Sequence, residues 1–364
     1  IANPWGYHLT NALLHALNAG LVAMLFHALA AGRRLRWEDF RAPSLPAIGA
    51  GLLFAFYPAA SGAAGWISGR TDLLATFFLL LTLLATVLPW RPGWRLAAVF
   101  LFTCLSILSK ESGYFTLAAL AVFLAAWFLL RRSKDVVRAA LIPLIICAAA
   151  ATIMLAWRWH VLGGLGGYPD QFGGKAPGDL LDWWQSYLVR SFFSPLVLVL
   201  LLILAAAGFL VGKKRELAIM LLAGFGLWLV SGLPVMGLEL TPVENDRFLY
   251  LPAVGVSFIL TAILASFFVE QRPLRIFALT LFAILFLLSS YEFIRRDLLW
   301  ARASQITERL AGRMVPFAGN HPDLPVVIVF RNMDFMSYEA DSLQQHRGAK
   351  ILPWDQAAWA LWRE

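Results

Sequence analysis

Apolar residues fill this chain in long runs, and polar residues are confined to the gaps between them. A helix crosses the hydrocarbon of a bilayer with about 20 largely apolar residues. Runs near that length recur at residues 9–30, 43–60, 71–88, 95–110, 113–130, 138–158, 193–212, 217–236, 248–268 and 274–291. The pattern predicts an all-α polytopic membrane protein with about ten transmembrane helices over residues 1–291. Trp66, Trp90, Trp94, Trp127, Trp157, Trp159, Trp183 and Trp184 fall near the run ends, where amphipathic rings sit at the headgroup level.

The gaps alternate in character. Arg33, Arg34, Arg36 and Arg41, then Arg91 and Arg95, then Arg131, Arg132, Lys134 and Arg138, then Lys213, Lys214 and Arg215, then Arg272 and Arg275 occupy every second gap. If each run crosses, these all lie on one side, which the positive-inside rule makes the cytoplasm. The opposite gaps hold Arg70, Asp72, Lys110, Glu111, Asp170, Asp179, Asp182, Glu239, Glu244, Asp246 and Arg247. The N-terminus and the C-terminal tail are therefore expected outside, on the periplasmic side of a bacterial inner (plasma) membrane.

Two stretches break the pattern. Gly163, Gly164, Gly166, Gly167, Pro169, Gly173, Gly174 and Pro177 predict an external loop, followed over Asp179–Phe193 by a helix lying on the membrane surface. Beyond Tyr291 the chain turns polar, with a helical pattern near 293–313, a strand-like Val326–Phe330 and a short helix around Asp355–Trp362. That predicts a small external α/β module over residues 292–364. The chain opens on Ile1 and its first run lacks a basic flank or cleavage site, so the protein's start is expected upstream.

Composition sharpens this picture. Sixty per cent of residues are hydrophobic and 14% charged, far from a soluble domain's near-quarter. The net charge of +8 sits in short clusters between runs rather than on one basic face, which excludes nucleic acid as partner. Cys104 and Cys147 lie inside apolar runs and suit packing rather than a disulfide or a metal. No cofactor is expected, and a divalent metal is left open.

Four polar groups of residues stand out against the apolar background. His8, Asn11, His15 and Asn18 recur at helical spacing on one face of the first run. Interhelical hydrogen bonding suits His15 and Asn18 as well as any ligand does, and His8 and Asn11 lie nearer the outer surface. The segment from Tyr57-Pro58 to Trp66-Ile67-Ser68-Gly69-Arg70-Thr71-Asp72 ends a turn with an Arg and an Asp two apart. That Arg can meet a phosphate or snorkel to headgroups, while Asp72 starts a helix. Ser109-Lys110-Glu111-Ser112 interrupts an apolar stretch and predicts a tight hairpin at the interface, since a lone Lys at mid-bilayer costs about 2.5–3.5 kcal/mol. In Glu244-Asn245-Asp246-Arg247-Phe248-Leu249-Tyr250-Leu251-Pro252, Arg247 and Tyr250 are three apart at the mouth of the ninth run. The Arg fork matches phosphate oxygens. All four groups fall on the same face of the predicted topology.

At these residues the chain resembles integral-membrane glycosyltransferases of the GT-C type, and among them the transmembrane and tetratricopeptide repeat O-mannosyltransferases and their bacterial relatives. The matching stretches are Asn3-Pro4 to Asn11 with His15 and Asn18, Trp66 to Leu74, Ser109-Lys110-Glu111, and Asp246 to Pro252. The resemblance implies a GT-C-like bundle that takes a mannose-like sugar from a polyprenyl-phosphate donor and passes it to a protein or glycan acceptor on the non-cytoplasmic face. It makes Arg70, Lys110, Arg247 and Tyr250 the donor-phosphate ligands, with His8, Asn11, Asp72, Glu111 and Asp246 as supporting polar groups. Cations at the leaving phosphate lower the barrier as its charge develops. The acidic residue that activates the acceptor is expected upstream of Ile1. Tyr57-Pro58 replaces the family's His-Pro, Gly62 stands where an acidic residue is usual, and the tail shows no tetratricopeptide pattern. The other functions weighed are a secondary transporter or lipid flippase, against which no paired halves are evident, and a non-catalytic membrane scaffold.

Overall fold

The computed structural model describes residues 5–131, 135–163, 177–211, 214–238, 240, 245–268 and 271–320. Twelve α-helices form among them: α1 (Trp5–Ala31), α2 (Leu45–Ala55), α3 (Ala60–Gly65), α4 (Arg70–Val87), α5 (Pro92–Ser109), α6 (Thr116–Arg131), α7 (Asp135–Leu162), α8 (Pro177–Ser191), α9 (Pro195–Val211), α10 (Lys214–Gly232), α11 (Pro252–Ser266) and α12 (Arg272–Asn320). With no water in hydrocarbon to satisfy backbone N–H and C=O groups, helices are how such apolar runs bond internally. The described residues contain no strand. Val326–Phe330, Asp355–Trp362, Asp170, Glu239 and Glu244 lie outside the described residues. Contacts group residues 1–293 into one compact unit and 294–364 into another.

Within the first unit α1 packs on α2 and α4, α4 on α5, α5 on α7, and α10 on α11 and α6. The α10–α11 crossing is built on glycine. A Cβ at Gly255 would lie 2.5 Å from the Gly224 carbonyl oxygen and 2.4 Å from the Trp228 nitrogen. Small residues let helix backbones approach this closely where lipid supplies no hydrophobic drive between helices.

Helices occupy all ten predicted positions, but length does not make all ten crossings. Seven of the described helices are long and apolar enough to cross a membrane, and an eighth arises if α8 and α9, bent by 72°, are one span. α2 and α11 have only 11 and 15 residues, so α2 alone rises about 16 Å, roughly half the hydrocarbon thickness. The expected run 43–60 is broken at Tyr57-Pro58 because proline withholds a backbone donor and disfavours helix at the residue before it. The chain nevertheless returns to its starting level. Ser44 N–H donates to His27 Nδ1 (3.2 Å), Ala55 O meets His15 Nε2 (2.9 Å), and Trp66 O accepts from Asn11 Nδ2 (2.9 Å). From His27 to Asn11 is roughly 24 Å along α1, and α2, α3 and the turn after it cover that distance in series.

At the opposite end of the bundle the Arg-rich connection 32–44 folds on one carboxylate. Asp39 accepts from both terminal nitrogens of Arg33 (2.7 Å each) and from the Arg36 backbone (2.6 Å), with His27 Nε2 at 3.5 Å. The Arg33 fork holds the Asp39 carboxyl well below the usual carboxylate range. A depressed folded value stabilises the fold above the unfolded value of about 3.9 and loses that contribution as pH falls below it. Asp39→Ala is therefore expected to cost on the order of 1.5–3 kcal/mol at about pH 7. The gap to the parent protein should narrow near about pH 3, as thermal unfolding in detergent at the two pH values will measure.

Candidate anion-binding site

The N-terminal ends of α1, α4 and α11 and the C-terminal end of α5 meet at one end of the bundle, and all four polar groups converge there. Asn11, fully buried on α1, holds the turn into α4 by donating to Trp66 O (2.9 Å). Its side-chain oxygen accepts from Arg70 Nε at 3.2 Å, and Arg70 also donates to Tyr7 O (3.1 Å) with its guanidinium 5.2 Å from the Tyr7 ring. Arg247 comes from the 3₁₀ turn Asp246–Leu249 and lies over the Trp66 ring at 4.2 Å and near Phe248 at 5.0 Å. Trp66 thus stands between two guanidinium groups, touched by one through its ring and linked to the other through Asn11.

Three carboxylates of the same end are already committed. Asp72 Oδ1 takes Lys110 Nζ at 2.5 Å, Glu111 takes Arg158 at 2.9 Å, and Asp246 takes Arg190 at 2.5 Å. Asp72 keeps its second oxygen without a hydrogen-bond partner, and that oxygen is buried. Arg70 and Arg247 bond no carboxylate among the described residues. The arrangement leaves two guanidinium groups beside one indole with no hydrogen bond to a carboxylate among the described residues, although Asp72 is near enough to feel the Arg247 charge. Two such forks suit an anion such as phosphate.

A second layer of polar residues fixes the helices that carry this end. His15 faces Ala55 O through Nε2 and the Tyr250 hydroxyl through Nδ1, both at 2.9 Å. A carbonyl only accepts, so a neutral ring holds its hydrogen on Nε2 and receives the Tyr250 O–H at Nδ1. Asn18 donates to the same hydroxyl (3.0 Å) and to Leu73 O (3.0 Å). Tyr250 is fully buried with its hydroxyl engaged on both sides, so it reaches the site through α1 rather than by touching a ligand. His8 is half-buried with no side-chain partner among the described residues. The expected hairpin at Ser109–Ser112 forms as a 3₁₀ turn, Glu111–Phe115, between α5 and α6.

A stretch of this chain is similar to protein O-mannosyl-transferases. TMTC2 of Mus musculus is 36% identical over 131 residues, 33% of this chain and 14% of its own length. TMTC2 of Xenopus laevis is 37% identical over the same span, and TMTC4 of Homo sapiens 31% identical over 133 residues, 18% of its length. The chain thus spans less than a fifth of the curated relatives it matches. No family model matches, and no solved structure does.

Two positions at which the chain departs from the family it resembles acquire a structural setting. A Cβ at Gly62 would lie 2.9 Å from the Arg247 backbone nitrogen and 3.0 Å from Asp246 Cβ. An acidic side chain at that position requires the Asp246–Leu249 turn to shift. Tyr57, in place of histidine, is buried and donates its hydroxyl to Ser191 O at 2.9 Å. Arg158 and Arg190 were not anticipated as partners. Each sits near a helix end, and Arg158 is flanked by Trp157 and Trp159, a setting that reads as an interfacial anchor until the fold pairs it with a carboxylate. No group of three or more His, Cys, Asp or Glu able to hold a metal ion occurs among the described residues.

Proposed function

We propose that this chain is the membrane part of a glycosyltransferase that takes a sugar from a polyprenyl-phosphate donor and passes it to a protein or glycan acceptor on the non-cytoplasmic face. The observation that supports it most is the pair of guanidinium groups beside Trp66 that hydrogen-bond no carboxylate among the described residues. They sit at one end of a bundle whose helices are long and apolar enough to cross a membrane. The similarity to protein O-mannosyl-transferases favours mannose as the sugar and a protein as the acceptor. Those relatives are animal proteins, so the proposal stops at the face of the membrane and leaves the bacterial inner membrane aside.

In this reading the bond between the sugar's anomeric carbon and the phosphate oxygen breaks while the acceptor hydroxyl oxygen bonds to that carbon. Arg70 and Arg247 meet the negative charge growing on the leaving phosphate, with Lys110 nearby and held by Asp72. Charges fixed in place before reaction stabilise the transition state without reorganisation. The acceptor's proton goes to a general base other than Asp72, Glu111 and Asp246, each of which is paired with a cation.

Two measurements test the proposal. Single cysteines at Ile67 and Asn245 are expected to react with a membrane-impermeant thiol reagent from the non-cytoplasmic side, and one at Glu38 from the cytoplasmic side. The full-length protein is expected to release polyprenyl phosphate from its mannosylated form when an acceptor is present. Labelling of Ile67 and Asn245 from opposite sides, or no release with any acceptor, overturns it.

A further inference from the structure

α8 carries a line of side chains that reaches from its middle to its last turn. Trp183 Nε1 donates to Leu238 O (2.7 Å) and the Tyr187 hydroxyl to Trp228 O (2.8 Å). Rings 183, 187 and 228 stack in sequence, with centroids 4.9 and 4.7 Å apart. Gly232 makes the approach feasible, since a Cβ there would lie 2.7 Å from the Tyr187 ring. Ser191 closes the series: its hydroxyl accepts from Trp228 Nε1 (2.9 Å) and its carbonyl from Tyr57 (2.9 Å). Residues 183, 187 and 190–191 share one face of a helix, and that face is pinned to the end of α10 and the connection beyond it.

Arg190 continues this face to the turn that carries Arg247. It donates to Leu240 O and, at 2.5 Å, to Asp246 Oδ1. Asp246 has no solvent exposure and Arg190 little, with 16% of its side chain accessible. A carboxylate buried this deeply is stable only while its cation is present, and removing one partner of such a pair strands the other charge. Asp246 immediately precedes Arg247, and the backbone between them lies against Gly62 of α3. The turn is therefore wedged between α3 on one side and the Arg190 fork on the other.

We infer that Arg190 is a positioning residue: by clasping Asp246 it fixes the Asp246–Leu249 turn so that Arg247 stays over Trp66, within reach of the donor phosphate. The inference rests on the glycosyltransferase reading for its functional half and on geometry alone for the clasp. Without Arg190 the Asp246 carboxylate loses the fork that holds it, the turn is free to shift, and Arg247 leaves the indole.

The test uses the full-length protein in detergent, with backbone hydrogen exchange over residues 245–250 and transfer kinetics measured on the same samples. Arg190→Gln is expected to raise exchange in that segment while leaving α4 and α5 unchanged. It should also raise the KM for the polyprenyl-phosphate donor by about tenfold or more, with a smaller change in kcat. Arg190→Lys keeps the charge but not the fork and is expected to fall between the two. R190Q/D246N removes the stranded charge and is expected to regain most of the lost affinity and protection. Exchange and donor KM both unchanged in R190Q overturn the clasp, as does a loss that R190Q/D246N leaves entirely in place. Arg247→Ala separates the two ideas. If the parent protein transfers no sugar the glycosyltransferase reading fails, and if Arg247→Ala transfers normally the functional half of the inference fails; in either case the exchange comparison still decides whether Arg190 holds the turn. If R190Q fails to fold, R190K and R190Q/D246N supply the same comparison.

Discussion

Arg247→Ala is expected to lower sugar transfer by about 10²–10³-fold, the loss that follows removal of one preorganised donor to a developing oxyanion. The side chain lies over Trp66 and Phe248 and bonds no carboxylate among the described residues. Its removal breaks no ion pair among the described residues, and Asp72 keeps Lys110, so the fold should survive. Stability of the variant to thermal unfolding in detergent should fall by no more than about 0.5–2 kcal/mol, the worth of the lost cation–π contacts. Arg247→Lys should recover only part of the activity, because an ammonium supplies a point charge without the planar fork. Turnover of a polyprenyl-phosphate sugar measured beside unfolding is decisive. Normal turnover removes Arg247 from the chemistry, and an unfolded variant shows that the residue is structural instead.

Lys110→Met is expected to produce the opposite signature, with stability lost as well as activity. Lys110 Nζ lies 2.5 Å from Asp72 Oδ1, with side chains only 19% and 12% exposed. Breaking a buried pair from one side costs about 3–5 kcal/mol, because the remaining charge has neither water nor partner. The double variant D72L/K110M should recover most of that loss, since a neutral pair of similar volume is often as stable as the ions. Transfer should stay low in both if Lys110 supplies charge to the site. A denaturant titration of the three proteins checks the stability half. A single variant as stable as the parent would show that the pair contributes nothing to the fold.

The sequence made most of the bundle legible because membrane helices advertise themselves locally. Each apolar run satisfies its own backbone, so its position is fixed by composition over about 20 residues. α1, α4, α5, α6, α7, α10 and α12 appear where runs were expected. The run 43–60 shows where that logic stops. Its mean hydropathy suggested one crossing, but Pro58 and the small residues after it break the stretch into α2 and α3. Hydropathy averages over a window and does not see a backbone break.

Site residues divide along the same line. His8, Asn11, Arg70, Asp72, Lys110, Glu111, Asp246, Arg247 and Tyr250 were visible as polar exceptions in apolar surroundings, a local property of the chain. Which of them pair was not visible. Tyr250 looked like a ligand for phosphate and is instead sealed beneath His15 and Asn18. Arg158 and Arg190, which the sequence did not single out, neutralise Glu111 and Asp246.

The sequence by itself determined that this is a bundle of apolar helices with its polar residues gathered in a few short segments. Only the tertiary structure decided which cations pair with a carboxylate, because a charge is cancelled by whatever lies within a few ångströms of it in space. Arg190 and Asp246 are 56 residues apart along the chain and 2.5 Å apart in the fold, and no local pattern records such a distance.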